Sequence, residues 1–343
     1  MKIKNKEKKK SWLKKIFIKI CRLLDYEIID QSSFHLPVTD QYIDEDLSKI
    51  GKKSITLPMG KVEITRPVKS LTIILRTCSS VNMLTQSKKR LFEKEKSEYT
   101  LRSLNSIIKS INYAKELFNT INLELIVVDH NSEKKIIDKI KSILSNQFFK
   151  SNFISLNIDD FIKDIKTINA KKEQVIPNQI SNMSNIHQSL LLAKKSEDLV
   201  YFVEDDYIHS VQALKEMILT YEKLSSMLKT ELILCPADYP YLYNEIDNTK
   251  IFLGDKSHWR SVKETLCTFL MSKKMVMKYW EELTSMCKFE HYPFEKPLHN
   301  IYEKEYCLSP IPSLAIHFTN INSIFGLSPN VDWKKTWEDS EIK

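Results

Sequence analysis

The 343-residue chain is 42% apolar, enough to fill the core of one large or two ordinary domains. Its four glycines, Gly51, Gly60, Gly254 and Gly326, lie at least nine positions apart, which excludes a GxGxxG loop and a P-loop, since both need several positions without a Cβ for a phosphate to approach the backbone. The net charge of +8 is local: residues 1–24 hold ten Lys/Arg and Glu7 (+9), leaving 42 basic against 43 acidic residues (−1) elsewhere, so a uniformly basic nucleic-acid-binding protein is not indicated either.

The first ten residues, MKIKNKEKKK, are too polar and like-charged to fold alone. From Ser11, an N-cap candidate, Trp12, Leu13, Ile16, Phe17, Ile20, Leu23 and Leu24 recur at i, i+3/i+4 spacing, with Lys14, Lys15, Lys19 and Arg22 mostly between them. The spacing predicts a basic amphipathic helix within residues 1–30. Such a helix suits an anionic membrane surface, each basic side chain adding about 1 kcal/mol there; packing on the main domain is the alternative. Residues 31–70 read as an irregular extension with short strands at 52–57 and 61–65.

From residue 71 the pattern alternates. Buried-type strands are predicted at 71–77 (LTIILRT), 123–129 (LELIVVD), 198–203 (DLVYFV) and 231–235 (ELILC), with a weaker one at 153–156. Helices are predicted at 98–119, 133–144, 182–195 and 211–228. Strands alternating with helices of this length imply a mostly parallel sheet covered on both faces, with ligands beyond the carboxyl ends of its strands. Residues 266–272 read as a further strand, 275–286 as a helix, a helix starts near Pro297, and YCLSPIPSLAIHF closes the domain. The six cysteines, at 21, 78, 235, 267, 287 and 307, show no CxxC, which favours reduced thiols over a disulfide framework or a zinc cluster. No apolar run reaches the roughly 18–20 residues of a membrane span. The N-terminus shows neither a clean apolar h-region nor a small-residue cleavage site, so no signal peptide is expected.

Three strand ends carry polar residues: Arg76-Thr77-Cys78-Ser79-Ser80, Asp129-His130-Asn131-Ser132 and Glu204-Asp205-Asp206. Asp129 is a nucleotide contact or an ordinary helix N-cap. Three consecutive acids raise one another's pKa unless a cation or several donors hold them, so the triplet is a divalent-cation site or an acidic solvated turn.

The ordered set LTIILRT, LELIVVDHNS, SNMSNIHQSLLLAK and DLVYFVEDDYIH resembles the nucleotide-sugar-dependent glycosyltransferases of the GT-A class, particularly family 2-like members. The resemblance covers residues 71–325 and implies an α/β fold, a single GT-A domain with a Rossmann-like, mostly parallel mixed sheet and helices on both faces, followed by a tail at 326–343. It implies Mn²⁺ or Mg²⁺ held by Glu204 and Asp206, the outer positions of a DxD-like signature whose first acid is here Glu. It also implies a base contact from Asp129, nucleotide-facing roles for Arg76, Thr77 and Asn131, and a further metal or diphosphate ligand in His317, whose alternative is a structural histidine. Ser184 and Asn185 are expected to open the helix before the acidic strand and reach the ribose. Inverting members place a catalytic carboxylate 80–95 residues beyond the DxD, a window that holds Glu290 and Glu295. Glu295 stands just before Pro297, a favoured first-turn residue, although a helix N-terminus lowers a carboxylate's pKa and keeps Glu290 in play.

Asp238 and Tyr239 are an acceptor-side pair or a packed turn; Trp259 and Arg260 stack on a sugar and pair with phosphate, or form an exposed hairpin. The implied partners are a nucleotide-sugar donor and a bacterial glycan or glycolipid acceptor, with peripheral contact through residues 1–24 at the cytoplasmic face of the inner membrane. The alternatives are a non-catalytic membrane-surface scaffold with a GT-A-like shell and a sugar nucleotidyltransferase, which normally has the glycine-rich loop this chain lacks.

Overall fold

The computed structural model describes residues 12–26, 54–57, 60–80, 90–244, 248–319 and 321–342. The chain divides into a small unit, Met1–Leu47 with Ile55–Lys61, and a large unit, Ser48–Ser54 with Val62–Lys343. In the small unit α1 (Trp12–Leu23) forms where the periodicity predicts it, and its apolar side chains Trp12, Leu13, Phe17 and Leu23 are exposed. β1 (Ser54–Leu57) and β2 (Gly60–Glu63) make a two-stranded sheet.

The large unit is built on runs of β-branched and aliphatic residues. β3 (Ser70–Thr77) is buried along its whole length. It leads through α2 (Lys96–Leu117) to β4 (Asn122–Asp129), then through α3 (Lys134–Ser145) to β5 (Lys150–Ser155). The chain crosses back through α4 (Pro177–Lys195) to β6 (Leu199–Glu204), which lies on the other side of β3. These four strands are parallel and stand in the order β5-β4-β3-β6. The return crossover reverses the direction of travel, so right-handed connections put α4 on the opposite face from α2 and α3. Between β3 and β6 the order reverses, which makes a switch-point crevice at their carboxyl ends.

β7 (Tyr207–His209), α5 (Ala213–Leu228), β8 (Ile233–Leu234), β9 (Ile251–Leu253), β10 (His258–Ser261) and β11 (Phe269–Ser272) follow. Next come α6 (Lys273–Lys278), α7 (Trp280–Lys288), α8 (Lys296–Tyr302), β12 (Cys307–Ile311) and β13 (Ala315–His317). The main sheet continues β6-β11-β8-β12-β10-β9, with β11 and β10 antiparallel to their neighbours. The expected mixed, mostly parallel sheet with helices on both faces is therefore present. Trp259 lies at the centre of β10, fully buried between β9 and β12, so it neither stacks on a sugar nor belongs to an exposed hairpin.

Two smaller features position the site. β7 pairs with β13, placing His317 opposite Tyr207. Residues 326–342, expected as a tail, carry α9 (Trp333–Asp339), whose Trp337 packs with Tyr99, Ile208, Ile316 and Phe318. The Arg102 guanidinium lies over the Trp337 ring at 4.5 Å. An aromatic cluster of this kind braces the start of α2 against β7 and β13.

Candidate active site

The carboxyl ends of β3 and β4 are tied together by short polar contacts. Thr77 Oγ1 donates to Asp129 Oδ1 at 2.7 Å, and Ser132 Oγ donates to the same oxygen at 2.5 Å. Ser79 N donates to Ser132 Oγ at 2.9 Å. Asp129 is 1% exposed, and its oxygens serve the turn: Ser132 N donates to Oδ2 at 3.3 Å, while the N-cap of α3 is Glu133, so Asp129 is not the helix cap of the alternative reading. Asn131 takes a left-handed φ of 60°, which asparagine tolerates, and is exposed at the rim.

Beside this turn lies a cavity of about 460 Å³ lined by Cys78, His130, Asn131, Gln174, Asn178 and Ser181 among others, with Ile158, Ile162 and Ile180 as its apolar wall. The mix of an apolar wall with a few convergent amides and hydroxyls is that of a small-molecule site. Ser184 and Asn185 are not at its mouth. α4 begins at Pro177 rather than at residue 182, so both lie inside the helix and are buried, and Asn185 Nδ2 donates to the Val128 carbonyl at 3.1 Å. The extra helical turn starts with Pro177, whose fixed φ suits a first-turn position. The residues α4 offers at its N-terminus are Asn178 and Ser181.

The acidic triplet ends β6 and enters the turn before β7. Each carboxylate meets a different cation. Arg76 Nη2 lies 3.3 Å from Glu204 Oε1 and also donates to the Cys267 carbonyl at 3.2 Å. Lys96, the first residue of α2, has its Nζ 2.5 Å from Asp205 Oδ1 and 3.8 Å from Asp206 Oδ2. Asp205 Oδ2 also accepts from Thr100 Oγ1 at 2.7 Å and from Cys78 N at 3.2 Å. His317 Nε2 lies 3.6 Å from Asp206 Oδ1, and its ring stacks on Tyr207 at 4.6 Å. Burial raises the Glu204 pKa. Burial also pushes on Asp206, but Lys96 and His317 outweigh it and hold that carboxyl below the usual range.

The expected ligands Glu204, Asp206 and His317 do not close on one point. Among the described residues no group of three His, Cys, Asp or Glu side chains is placed to hold a metal ion. His317 Nδ1 contacts the Phe325 carbonyl at 2.7 Å, and a carbonyl only accepts, so that nitrogen carries a proton. Its other nitrogen faces Asp206; burial lowers the pKa, yet Asp206 and Glu204 raise it above the ordinary value. The Lys96 ammonium lies against Asp205 and Asp206, so a cation of the protein's own already faces these two carboxylates.

Glu295 and Glu290 are separated by their surroundings. Glu295 is the N-cap of α8, as its place before Pro297 suggests. Its pKa is raised rather than lowered, to about 7, by burial first and then by Glu204. Desolvation outweighs the helix dipole here. Glu290 is exposed and accepts from Ala170 N at 2.8 Å and Tyr292 OH at 2.8 Å, with Lys166 Nζ at 3.0 Å. These contacts lower its pKa to about 2. Farther along the same face, the buried Asp238 carboxylate pairs with Arg260 and accepts from Tyr243 OH at 2.5 Å, and the Tyr239 hydroxyl bonds Tyr207 OH at 2.6 Å. Asp238, Tyr239 and Arg260 are thus bound to one another's neighbours, the packed turn of the two alternatives.

Sequence reasoning missed Lys96: a lysine in the run KEKSE carries no sign of its burial against Asp205 and Asp206.

No family model matches the sequence, and no curated protein matches it. Among solved structures, the galactosyltransferase LgtC in complex with donor and acceptor sugar analogues is similar over 67% of this chain and 70% of its own, at 12% identity and a TM-score of 0.35. TarS of S. aureus, residues 1–349, is similar over 64% of this chain and 56% of its own, at 12% identity and a TM-score of 0.35. A UDP-glucose pyrophosphorylase complexed with UDP-glucose is similar over 80% of this chain and 97% of its own, at 5% identity and a TM-score of 0.36. Likeness at this level assigns neither a family nor an activity to this chain.

Proposed function

We propose that the chain transfers a sugar from a nucleotide-sugar donor to an acceptor hydroxyl. The observation that carries this reading is a cluster of ion pairs, Arg76 with Glu204 and Lys96 with Asp205, at the switch point of an α/β sheet, within whose field the Glu295 carboxyl is raised to about 7. The cavity beyond β3 and β4 takes the nucleoside, and the diphosphate lies over the turn after β6. Glu295 accepts the proton of the acceptor hydroxyl as that oxygen attacks the anomeric carbon. The bond from the anomeric carbon to the diphosphate oxygen breaks, and the nucleoside diphosphate leaves with the electron pair. A single displacement of this kind inverts the anomeric configuration. The acceptor is a surface glycan or glycolipid, reached by a protein that α1 holds against the cytoplasmic face of an anionic membrane.

A thermal-shift panel of UDP-, GDP- and CMP-sugars tests the reading. At least one is expected to raise the melting temperature of the wild-type protein. If none does, sugar transfer is rejected and a non-catalytic scaffold with the same shell takes its place.

A further inference from the structure

Lys96 stands where local rules oppose it. A cation in the first turn of a helix faces the positive end of the macrodipole, and its ammonium is nearly out of solvent, the side chain being 11% exposed. A buried charge persists only where partners hold it. Those partners are the two adjacent carboxylates Asp205 and Asp206, at 2.5 and 3.8 Å. Asp205 is fixed from behind by Thr100 and by the backbone of Cys78, so the arrangement is built into three elements. The ammonium meets Asp206, one of the two carboxylates that the resemblance implied for a metal, together with Asp205.

A second observation points to an anionic ligand. Arg76 is 6% exposed, yet its Nε and Nη1 have no hydrogen-bond partner among the described residues. Arg90 Nη2 is likewise buried and without a partner, and the Arg90 charge acts on both Lys96 and Asp206. Buried guanidinium N–H groups left unpaired call for oxygens that the protein itself does not supply, and the planar fork of arginine matches phosphate. Arg76, Arg90 and Lys96 are permanently charged at neutral pH, and Arg76 and Lys96 meet the carboxylates of the triplet directly.

We propose that Lys96, with Arg76 and Arg90, supplies in side chains the positive charge that the donor diphosphate requires, so that transfer runs without a divalent cation. The inference rests on the nucleotide-sugar reading and names how that site handles the phosphates. As the sugar–oxygen bond breaks, the new negative charge on the leaving phosphate is met by fixed ammonium and guanidinium groups.

Binding of UDP, GDP, UMP and GMP to the full chain, by calorimetry and thermal shift, in EDTA or in Mn²⁺, tests it. In EDTA at least one diphosphate is expected to bind, with the same affinity in Mn²⁺. Lys96→Gln, checked for folding by circular dichroism, should weaken that diphosphate by about tenfold or more and leave the matching monophosphate close to wild type. Binding that EDTA abolishes and Mn²⁺ restores overturns the inference and leaves the nucleotide-sugar reading standing; this arm needs no variant. A folded Lys96→Gln protein that binds the diphosphate as the wild type does also overturns it. If no nucleotide binds with or without Mn²⁺, both fall together.

Discussion

Glu295 and Glu290 differ by five positions in the sequence and by environment in the fold. Glu295 is desolvated beside Glu204 and titrates at about 7, within reach of a working proton acceptor at neutral pH. Glu290, held by Ala170, Lys166 and Tyr292 with a pKa lowered to about 2, is too weak a base. Glu295→Gln is therefore expected to cut turnover by about 10²–10⁴-fold while keeping donor binding, and Glu290→Gln to leave turnover at the wild-type level. Loss of turnover in Glu290→Gln alone would reverse the assignment. The wild-type kcat/KM should rise as pH passes about 7, where Glu295 loses its proton. Stability runs the other way. The folded pKa lies above the ordinary value of 4.5, so the folded chain holds a proton that the unfolded chain releases. Glu295 thus contributes fully below the unfolded pKa, and the contribution is lost as pH rises through about 7. Since glutamine carries no such charge, Glu295→Gln should melt above the wild type at pH 8, with the gap narrowing by pH 5; melts at the two pH values decide.

Among the elements, the β9–β10 turn shows how far packing reaches beyond local pattern. Glu216 of α5 accepts from the backbone N–H groups of Asp255, Lys256 and Ser257 and from Trp259 Nε1. A Cβ on Gly254 would stand 2.4 Å from Trp259 Nε1 and 2.6 Å from Thr220 Oγ1. Gly254→Ala is expected to destabilise the protein by about 1–3 kcal/mol, the range for overpacking a filled core, read as a lower urea midpoint at unchanged m; an unshifted midpoint would show that the turn can move away. This same turn explains what was legible beforehand. β3, β4 and β6 announce themselves because each is a run of six to eight residues rich in aliphatic side chains. β7, β9 and β10 are three or four residues long and exist through partners far along the chain, such as Pro310 opposite Trp259. For that reason Trp259 looked like a ligand-stacking residue and is core. The acidic triplet was readable from its place after a buried strand. Lys96 was not, because what makes it part of the site is a pair of carboxylates 109 and 110 positions away.

For the whole molecule, the division of charge found in the sequence sets the last expectation. The excess of +9 lies in residues 1–24, and the rest of the chain sums to −1. Within that segment α1 exposes Trp12 (69%), Phe17 (59%) and Leu23 (82%), a face that water alone does not favour. No helix among the described residues is long and apolar enough to cross a membrane. A short helix with aromatic anchors and several basic residues suits an anionic interface, where burial of the apolar face and about 1 kcal/mol per basic side chain act together. The full chain is expected to pellet with vesicles containing anionic lipid, to pellet less as salt is raised toward 1 M, where screening extends only about 3 Å, and to stay in solution with zwitterionic vesicles. A chain lacking residues 1–24 should lose the pelleting and keep its thermal shift with a nucleotide sugar, since the cavity and the charged cluster are built from residues 76–317. Trp12→Glu with Phe17→Glu should lose it as well, although the net charge remains positive, because charge without an apolar face gives only weak, salt-labile contact. Equal pelleting of the full and shortened chains removes α1 from the account and places any membrane contact on the rest of the chain.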